Sequence, residues 1–485
     1  MQTLKVDVAV IGSGTAGLNA RRQVEKDGGS AALIESGPYG TMCARVGCMP
    51  SKLLIAAADA SHEVAGAGRF GIRVPDGVEV DGTAVLERVR RERDRFVGFV
   101  VRDTEAIPRS HRLRGHARFV GPSTLEVGPV DGGGDEVTRV ESRSVVVATG
   151  SAPFVPPPFD AIRDHVMVSE DVFELDDLPR SMAVVGTGII GLELGQALAR
   201  LGVRVRFFNR SSSLGPFSDP EVKRVTRETL ARELVLHLEC EMVEARPEGD
   251  GVRLRWREAD GRESEDVFER VLVAAGRRPV LADLDLAKAG VSLDERGRPP
   301  WDPTTAQIPG SPVFLAGDVS GYLPLLHEAS DEGRIAGANA ASYPDVMAHE
   351  RRAELAIAFV DPQMAVVGKR YRDLDLDAVE IGEVSYGDQG RARVAGRNQG
   401  LVRLYAQREG CRLLGAEMFG PRMEHMAHLL AWAVQEGMTV QHILRMPVYH
   451  PVFEEGLRTG LRGLAAKLNV TGECRSQDLS DAPGA

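Results

Sequence analysis

The sequence has few cysteines and no long run of apolar residues. Its 5 cysteines in 485 residues are too few and too scattered for the disulfide framework of a secreted domain, which favours a reducing compartment. No apolar stretch reaches about 18 residues, so we expect no membrane-spanning segment. Met1 leads directly into a strand-like segment, so we also expect no signal peptide. These absences together predict a cytoplasmic protein.

An excess of positive charge is also absent. The chain has 59 Lys and Arg against 70 Asp and Glu, a formal net charge of −11. This balance disfavours nucleic acid or an anionic membrane as the principal partner, because both attract basic surfaces. A length of 485 residues and a hydrophobic fraction of 43% are enough for about two to four domains with real cores. Small molecules are therefore the expected partners.

A glycine-rich motif follows the first strand-like segment. Residues 4–11 have the pattern of a buried parallel strand, and GxGxxG at residues 12–17 precedes a helical stretch. Such glycines allow a tight turn and bring a pyrophosphate against the N-terminus of the next helix. A second strand, residues 31–34, ends at Glu35, which is placed to accept a hydrogen bond from a ribose hydroxyl. This combination predicts a dinucleotide site.

The same pattern recurs at residues 186–191, so we expect two dinucleotides. Glu35 lies 23 residues after the first glycine of the first copy, and the same interval in the second copy reaches Asn209. The carboxylate is missing there, and Arg210 follows. A guanidinium at this strand end can pair with a 2′-phosphate, or it can simply point to solvent. In either case, strict selection for the unphosphorylated nicotinamide cofactor is not expected.

Cys43 and Cys48 lie shortly after the first dinucleotide motif. In a regular helix, residues five apart have Cα atoms about 8 to 9 Å apart, beyond the roughly 7 Å limit for a disulfide. Pairing therefore needs a distorted turn, which Gly47 and Pro50 permit. Two unlinked buried cysteines, or an inert disulfide, are the alternative. The neighbouring nucleotide site favours electron transfer.

Further strand ends and a change of composition divide the chain. The segment 145–150 closes the first nucleotide unit, 271–276 closes the second, and 313–318 is a buried strand that ends at Asp318. From about residue 348 strand-like segments alternate with helices, including 423–436. The predicted parts are residues 1–150 (first nucleotide unit, with the cysteine pair), 151–277 (second nucleotide unit), 278–347 (a central part), 348–472 (a separate α+β domain) and 473–485 (polar tail).

Together these motifs resemble the flavin-dependent pyridine nucleotide-disulfide oxidoreductases, nearest to their dihydrolipoamide dehydrogenase branch. The resemblance rests on the two glycine motifs, the CxxxxC, and the segments 148–150, 275–277, 317–318, 359–362 and 450–455. It implies an α/β fold with two Rossmann-like domains and a C-terminal α+β dimerisation domain. The FAD-binding domain would take in residues 1–150 and 278–347, the NAD(P)-binding domain residues 151–277, and the dimerisation domain residues 348–472. It also implies a homodimer.

The resemblance further implies roles for individual residues. Cys43 is the outer thiol that exchanges with substrate, and Cys48 is the inner thiol against the flavin. His450 is the acid–base group, oriented by Glu455, and both come from the partner subunit. Attack on a disulfide requires a thiolate, so a proton acceptor near the exchange thiol is needed, and imidazole suits this work. The predicted ion pair beside the flavin is Lys52 with Glu193.

The cofactor-binding residues implied by the resemblance fall into two sets, and no metal ligand is expected. Those for FAD are Gly12, Ser13, Gly14, Thr15, Ala16, Gly17, Glu35, Ser36, Thr41, Lys52, His116, Ala117, Ala148, Thr149, Gly150, Asp318 and Leu326. Those for the nicotinamide cofactor are Gly186, Gly188, Ile189, Ile190, Gly191, Glu193, Asn209, Arg210 and Gly276.

The leading functional prediction is oxidation of a dithiol such as a lipoyl group by NAD or NADP. Two departures from the family pattern keep alternatives open. Gly40-Thr41-Met42 replaces the usual Gly-Gly-Thr, and Arg45 lies close to the exchange thiol. The alternatives are an NADPH-dependent reductase of another disulfide or electrophile, and a redox-sensing flavoprotein.

Overall fold

The computed structural model describes residues 2–75, 77–130 and 137–470. These residues form two compact units. Unit 1 takes in the described residues of segments 1–53, 87–154 and 276–351, and unit 2 takes in those of segments 54–86, 155–275 and 352–485. Across the described ranges, no helix combines the length and apolar character needed to cross a membrane. Strands and helices are numbered along the chain.

Unit 1 is built around a five-stranded parallel sheet. Its strands are β2 Val8–Ile11, β3 Ala31–Glu35, β4 Arg112–Arg114, β8 Ser144–Val147 and β19 Val313–Leu315, in the order β19-β8-β2-β3-β4. The central strands are buried on both faces, as expected for a parallel sheet covered by helices. Helices α1 Thr15–Lys26 and α7 Leu326–Ser342 pack closely, since Gly333 and Gly337 leave room for the backbone of Ala16 and Ala20.

The predicted single strand over residues 4–11 is wrong. The structure has two strands there, β1 Gln2–Lys5 and β2, and they belong to different sheets. The strand is interrupted around Asp7. The Asp7 carboxylate accepts hydrogen bonds from Ser30 N and Ser30 Oγ, both at 2.8 Å. These bonds lower the pKa of Asp7 and hold it in the connection, which ends the ladder.

Smaller elements complete unit 1 and lead into the helices near the cysteines. A four-stranded sheet has the order β1-β7-β6-β5, with β5 His116–Phe119, β6 Thr124–Gly128 and β7 Thr138–Glu141. A two-stranded sheet pairs β9 Ser151–Pro153 with β18 Arg277–Pro279. The helices near the cysteines are α2 Met42–Val46, in unit 1, α3 Cys48–Ala65, which continues into the unit 2 segment, and α4 Gly82–Glu105, which begins in that segment and continues in unit 1.

Unit 2 contains a second five-stranded parallel sheet, in which four strands repeat the order found in unit 1 and the outer strand comes first in the chain instead of last. Its strands are β10 Val166–Val168, β11 Ser181–Val185, β12 Arg204–Asn209, β13 Val235–Leu238 and β17 Arg270–Val273, in the order β10-β17-β11-β12-β13. Helices α5 Ile189–Arg200 and α6 Pro220–Leu230 follow β11 and β12. An antiparallel sheet of β14 Glu241–Glu248, β15 Gly251–Arg257 and β16 Glu263–Phe268 is inserted before β17. The predicted duplication is confirmed.

The last part of unit 2 is an antiparallel sheet with helices. Its strands are β20 Leu355–Ala358, β21 Gln363–Gly368, β22 Val379–Ser385, β23 Leu401–Gln407 and β24 Leu413–Gly420, in the order β20-β21-β24-β23-β22. Its helices are α8 Gly390–Val394, α9 Met423–Gln435, α10 Val440–Leu444 and α11 Glu455–Val470. Leu404, Met418, Leu430 and Leu464 lie in one buried core. The predicted α+β domain and its helix over 423–436 are confirmed.

Candidate active site

The first glycine motif forms a cradle at the carboxyl end of β2. Gly12 has φ +107°, and a Cβ there would overlap the carbonyl oxygen of Ala148. A Cβ on Gly17 would overlap the carbonyl oxygen of Gly12, whereas one on Gly14 would meet no atom within 4 Å. Gly14 is the N-cap of α1, and no side chain caps this helix within the described chain. The helix N-terminus is therefore free to receive a phosphate group.

Glu35 closes this cradle from the end of β3. Its carboxylate accepts from Ser13 N at 2.7 Å, from Ser13 Oγ at 2.8 Å and from Gly37 N at 2.6 Å. These bonds fix a carboxylate beside the second residue of the glycine motif. This is the place where the family fingerprint puts a ribose hydroxyl.

The other residues predicted for FAD occupy several elements of unit 1. Ala148, Thr149 and Gly150 follow β8, Asp318 comes shortly after β19, and His116 and Ala117 begin β5. Thr15 and Ala16 lie in the first turn of α1, Ser36 follows β3, and Leu326 begins α7. The structure thus gathers the glycines, Glu35, the 148–150 segment and Asp318 at the carboxyl ends of neighbouring strands. Parallel α/β sheets bind ligands at this edge.

The cysteine pair lies at a break between two helices. Helix α2 ends at Val46 and α3 begins at Cys48, with Gly47 between them at φ −124° and ψ −116°. A Cβ on Gly47 would lie 3.2 Å from Cys43 Cα, so glycine permits this close approach. The predicted distorted turn is present at Gly47. Pro50 lies in the first turn of α3, where proline is tolerated.

Both cysteines are present as thiols, and they are hydrogen-bonded to each other. The hydrogen bond with Cys48, followed by burial, raises the pKa of Cys43, and the charge of Lys52 opposes this only weakly. Both effects favour the protonated form of Cys43. Cys48 is the first residue of α3, an 18-residue helix, and the positive end of a helix dipole favours a thiolate.

Two basic residues flank the pair. Lys52 Nζ lies 3.4 Å from Ser51 Oγ, one turn into α3. The stem of Arg45 lies against Gly40: a Cβ on Gly40 would meet Arg45 Cδ at 2.9 Å. Arg45 therefore packs on the turn that precedes α2.

The second glycine motif repeats the first in detail. Gly186 has φ +110°, and a Cβ there would overlap the carbonyl oxygen of Ala274. A Cβ on Gly191 would overlap the carbonyl oxygen of Gly186, and one on Gly188 would meet nothing within 4 Å. No side chain caps α5 at Gly188 within the described residues. The predicted residues Ile189 and Ile190 begin this helix, and Gly276, at φ +116°, follows β17.

The end of β12 differs from the end of β3. Asn209 replaces the carboxylate, and its Nδ2 donates to Ser211 Oγ at 3.2 Å and to the carbonyl oxygen of Ser213 at 3.1 Å. The Ser211 and Ser213 hydroxyls are hydrogen-bonded to each other. Arg210 is exposed. This strand end therefore presents hydroxyl, amide and guanidinium groups, with no carboxylate at the Glu35 position.

Glu193 is buried within α5, with 5% of its surface exposed. Its Oε1 accepts from Phe359 N at 2.8 Å, so it also anchors the segment between β20 and β21. The ion pair of this residue with Lys52 stays a prediction.

His450 and Glu455 form a dyad at the start of α11. His450 Nδ1 lies 2.8 Å from Glu455 Oε1, and Glu455 Oε2 accepts from Val452 N at 3.0 Å. The bond with His450 is the main reason that the pKa of Glu455 lies below its usual range. The His450 side chain is 81% exposed. The Nε2 side of the ring is therefore open to a reacting group.

Two polar residues that the motifs did not indicate support the sheet edge that carries the residues predicted for FAD. Ser151 Oγ donates to Asp318 Oδ2 at 2.7 Å. Glu332 is fully buried, and its Oε2 accepts from Gly317 N at 2.7 Å. Burial raises the pKa of Glu332 to about 7, against the lowering effects of Gly317 N and Arg351. The sequence could have indicated Glu332, because it is a glutamate on the apolar face of α7.

Comparisons with known proteins agree with this geometry. Residues 6–333 match the model of the pyridine nucleotide-disulphide oxidoreductase family, and residues 355–460 match its dimerisation domain. The chain belongs to this family. It is an FAD-dependent oxidoreductase with a pyridine nucleotide site, and the dimerisation domain supports a homodimer.

Individual relatives are moderately similar over almost their full length. A dihydrolipoyl dehydrogenase of Halobacterium salinarum is 31% identical over 93% of this chain and 94% of its own. A dihydrolipoyl dehydrogenase of Bacillus subtilis is 29% identical over 94% of this chain and 97% of its own. Among solved structures, LpdA from Mycobacterium tuberculosis has a TM-score of 0.80 at 22% identity, and the match covers 95% of this chain and 99% of LpdA. The Cu(II) complex of the HOCl-induced flavoprotein disulfide reductase RclA from Escherichia coli has a TM-score of 0.79 at 21% identity, and the match covers 94% of this chain and 99% of RclA. The two structures support the fold alone.

The two glycine cradles allow the family's cofactors to be assigned separately. In the Gly12→Ala variant the new Cβ overlaps the Ala148 carbonyl, and in Gly186→Ala it overlaps the Ala274 carbonyl. We expect purified G12A to lose most of its FAD, measured by flavin absorbance per polypeptide. We expect G186A to keep FAD and to bind the nicotinamide cofactor at least about tenfold more weakly. Each variant is the control for the other, and loss of FAD from both would contradict the assignment.

Proposed function

We propose that this protein is a dihydrolipoyl dehydrogenase. It would pass electrons from a dithiol, through a Cys43–Cys48 disulfide and FAD, to NAD+ or NADP+. The observation that carries the proposal is the cysteine pair itself: two hydrogen-bonded thiols at a helix break in the unit that contains the first dinucleotide cradle. A lipoyl group is the proposed substrate because curated relatives at about 30% identity are dihydrolipoyl dehydrogenases.

The exchange steps follow from the chemistry of thiols. A substrate thiolate attacks Cys43 Sγ, the Cys43–Cys48 bond breaks, and Cys48 leaves as a thiolate. The second substrate thiol then loses its proton and attacks the substrate sulfur of the mixed disulfide. The bond from that sulfur to Cys43 Sγ breaks, the cyclic substrate disulfide forms, and Cys43 leaves as a thiolate and takes up a proton. The pair has then gained two electrons and is in the dithiol form described above.

The expected protonation of the two cysteines supports these separate roles. The raised pKa of Cys43 keeps a proton on the outer thiol, and the N-terminus of α3 favours charge on Cys48. The electron-rich sulfur is then the one assigned to the flavin side. When bound, FAD supplies the two-electron acceptor that links this pair to the nicotinamide. Lys52 and Glu193 are the proposed charged pair next to it.

The His450–Glu455 dyad is the proposed acid–base group of the partner subunit's site. Its exposure leaves the imidazole accessible to another protomer, and Glu455 fixes the ring through Nδ1. His450 would accept the proton of the attacking substrate thiol through Nε2. A complete site would then need two copies of the chain, which is why the homodimer matters for activity.

The substrate assignment is tested by parallel steady-state assays. Dihydrolipoamide with NAD+ and with NADP+ is compared with glutathione disulfide and other disulfides, each with NADH and NADPH. Turnover of dihydrolipoamide as the best substrate supports the proposal. Failure to oxidise dihydrolipoamide, with reduction of another disulfide, would contradict it.

We propose that the nicotinamide site accepts NADP as well as NAD, with Arg210 as the phosphate contact. The support is the Asn209–Ser213 segment, where hydroxyls and a guanidinium replace a carboxylate. Arg210→Ala is expected to raise KM for NADP+ about tenfold, the loss expected for one charge-assisted hydrogen bond. KM for NAD+ should change less than twofold. Equal effects on both cofactors would mean that Arg210 does not contact the 2′-phosphate.

A second candidate is an NADPH-dependent reductase of another disulfide or electrophile. The observation that favours it is the same carboxylate-free end of β12, together with Met42, the first residue of α2, directly before Cys43. A redox-sensing flavoprotein is less well supported, because a sensor has little need of the His450–Glu455 relay. We place the protein in the cytoplasm because of its low cysteine content.

A further inference from the structure

Met42 stands directly before Cys43. Its thioether sulfur is a hydrogen-bond acceptor for Arg277: Arg277 Nη2 lies 3.0 Å from Met42 Sδ. Met42 is the first residue of α2 and 37% of its surface is exposed. A contact at this position acts on the helix that carries Cys43.

Ser151 makes two further hydrogen bonds with Arg277. Arg277 Nε donates to Ser151 Oγ at 2.8 Å, and Nη2 donates to the Ser151 carbonyl oxygen at 2.7 Å. Ser151 Oγ in turn donates to Asp318 Oδ2 at 2.7 Å. Three consecutive contacts within unit 1 therefore join Asp318, a residue assigned to FAD, to the residue preceding Cys43.

The turn that Met42 follows is strained. Thr41 has φ +54° and ψ +150°, a region that β-branched residues rarely adopt and that glycine adopts readily. The Thr41 hydroxyl accepts from Ala44 N at 3.3 Å, which is a long and weak cap. Strained backbone persists only where surrounding contacts hold it, and the Met42–Arg277 contact is next to it.

We infer that Arg277 is a positioning residue for the cysteine pair and acts through Met42. It holds the first residue of α2 against Ser151 and Asp318, and so keeps the strained Thr41 turn in place. Cys43 then stays in hydrogen-bond contact with Cys48. The inference rests on the proposed function, in which this pair carries the electrons.

Two substitutions of similar size separate the sulfur contact from simple packing. Met42→Leu removes the acceptor, and Met42→Gln replaces it with an amide oxygen that can accept from Arg277. The first measurement is the rate of Cys43 alkylation by iodoacetamide in the reduced, FAD-bound protein, read by mass spectrometry. We expect M42L to react roughly three to ten times faster than wild type, the effect of one ordinary hydrogen bond. M42Q should stay within about twofold of wild type.

The second measurement is the rate of flavin reduction by dihydrolipoamide in a stopped-flow spectrometer. M42L should be slower by a similar factor and M42Q should be restored, with FAD content equal in all three proteins. Identical alkylation in M42L and wild type, or a change in M42Q as large as in M42L, would overturn the inference. If alkylation follows the expected pattern while dihydrolipoamide reduces the flavin in none of the proteins, the positioning role stands and the proposed substrate fails.

Discussion

Replacing Cys43 with serine is expected to abolish oxidation of dihydrolipoamide while FAD remains bound. The serine hydroxyl has nearly the same size as the thiol, but it cannot form the mixed disulfide that the exchange requires. We expect kcat to fall by at least about 10³-fold, as when a covalent nucleophile is removed. Steady-state assays with either nicotinamide cofactor measure the loss.

Cys240→Ala is the matched control for this variant. Cys240 is buried in unit 2, where its thiol donates to the carbonyl oxygen of His237 and its backbone NH donates to the carbonyl oxygen of Asn209; neither contact involves the Cys43–Cys48 pair. Its loss should leave kcat within about twofold of wild type. Cys48→Ser should be as inactive as Cys43→Ser, because each sulfur is needed for the bond. Substantial activity in either serine variant would remove the cysteine pair from the reaction.

Replacing His450 with alanine is expected to lower kcat with dihydrolipoamide by about 10² to 10⁴-fold, the usual contribution of a general base. The His450–Glu455 contact and the exposed Nε2 are the reasons. Glu455→Gln should have a smaller effect, because the amide can still hold the ring but carries no charge.

The homodimer provides a sharper version of this experiment. If His450 serves the partner's site, a dimer of one Cys43→Ser subunit and one His450→Ala subunit contains one complete site. Random reassociation of the two inactive proteins should then restore about a quarter of the wild-type rate. No restoration, in a mixture shown by mass spectrometry to contain heterodimers, would mean that the histidine does not act across the dimer.

The pKa of Glu455 determines the pH range in which Glu455→Gln should be compared with wild type. Because the folded-state pKa of Glu455 is lowered, its bond with His450 is fully present above the ordinary carboxyl pKa and is lost only as the pH falls through the lowered value. Between pH 6 and pH 8 the carboxylate is therefore charged in the wild type. Differences between Glu455→Gln and wild type in this range report the missing charge.

The backbone geometry of the two glycine motifs could be predicted from the sequence, because the spacing of the glycines reflects a conformation that only glycine adopts easily. Gly12 and Gly186 have positive φ and lie against the carbonyls of Ala148 and Ala274, so no other residue fits. The missing acid at Asn209 was visible from the same spacing. In each case the residue type follows from local geometry, and the motif and the structure agree.

Other features depend on contacts between residues far apart in the chain, and the sequence does not indicate them. The strand break at Asp7 depends on Ser30, and the Met42 contact depends on Arg277. Thr41 has an unfavourable φ that its residue type argues against. The predicted domain boundaries and the polar tail after residue 472 stay predictions, and the tail lies outside the described residues.

The measurement that addresses the Cys43–Cys48 pair most directly is an anaerobic reductive titration of the FAD-bound protein. A disulfide and a flavin each accept two electrons, so wild type should take up about four electrons per FAD and Cys43→Ser about two. Thiol counting before and after the titration should show two new thiols per chain in the wild type alone. Uptake of two electrons by the wild type, with no new thiols, would show that the cysteine pair takes no part in electron transfer.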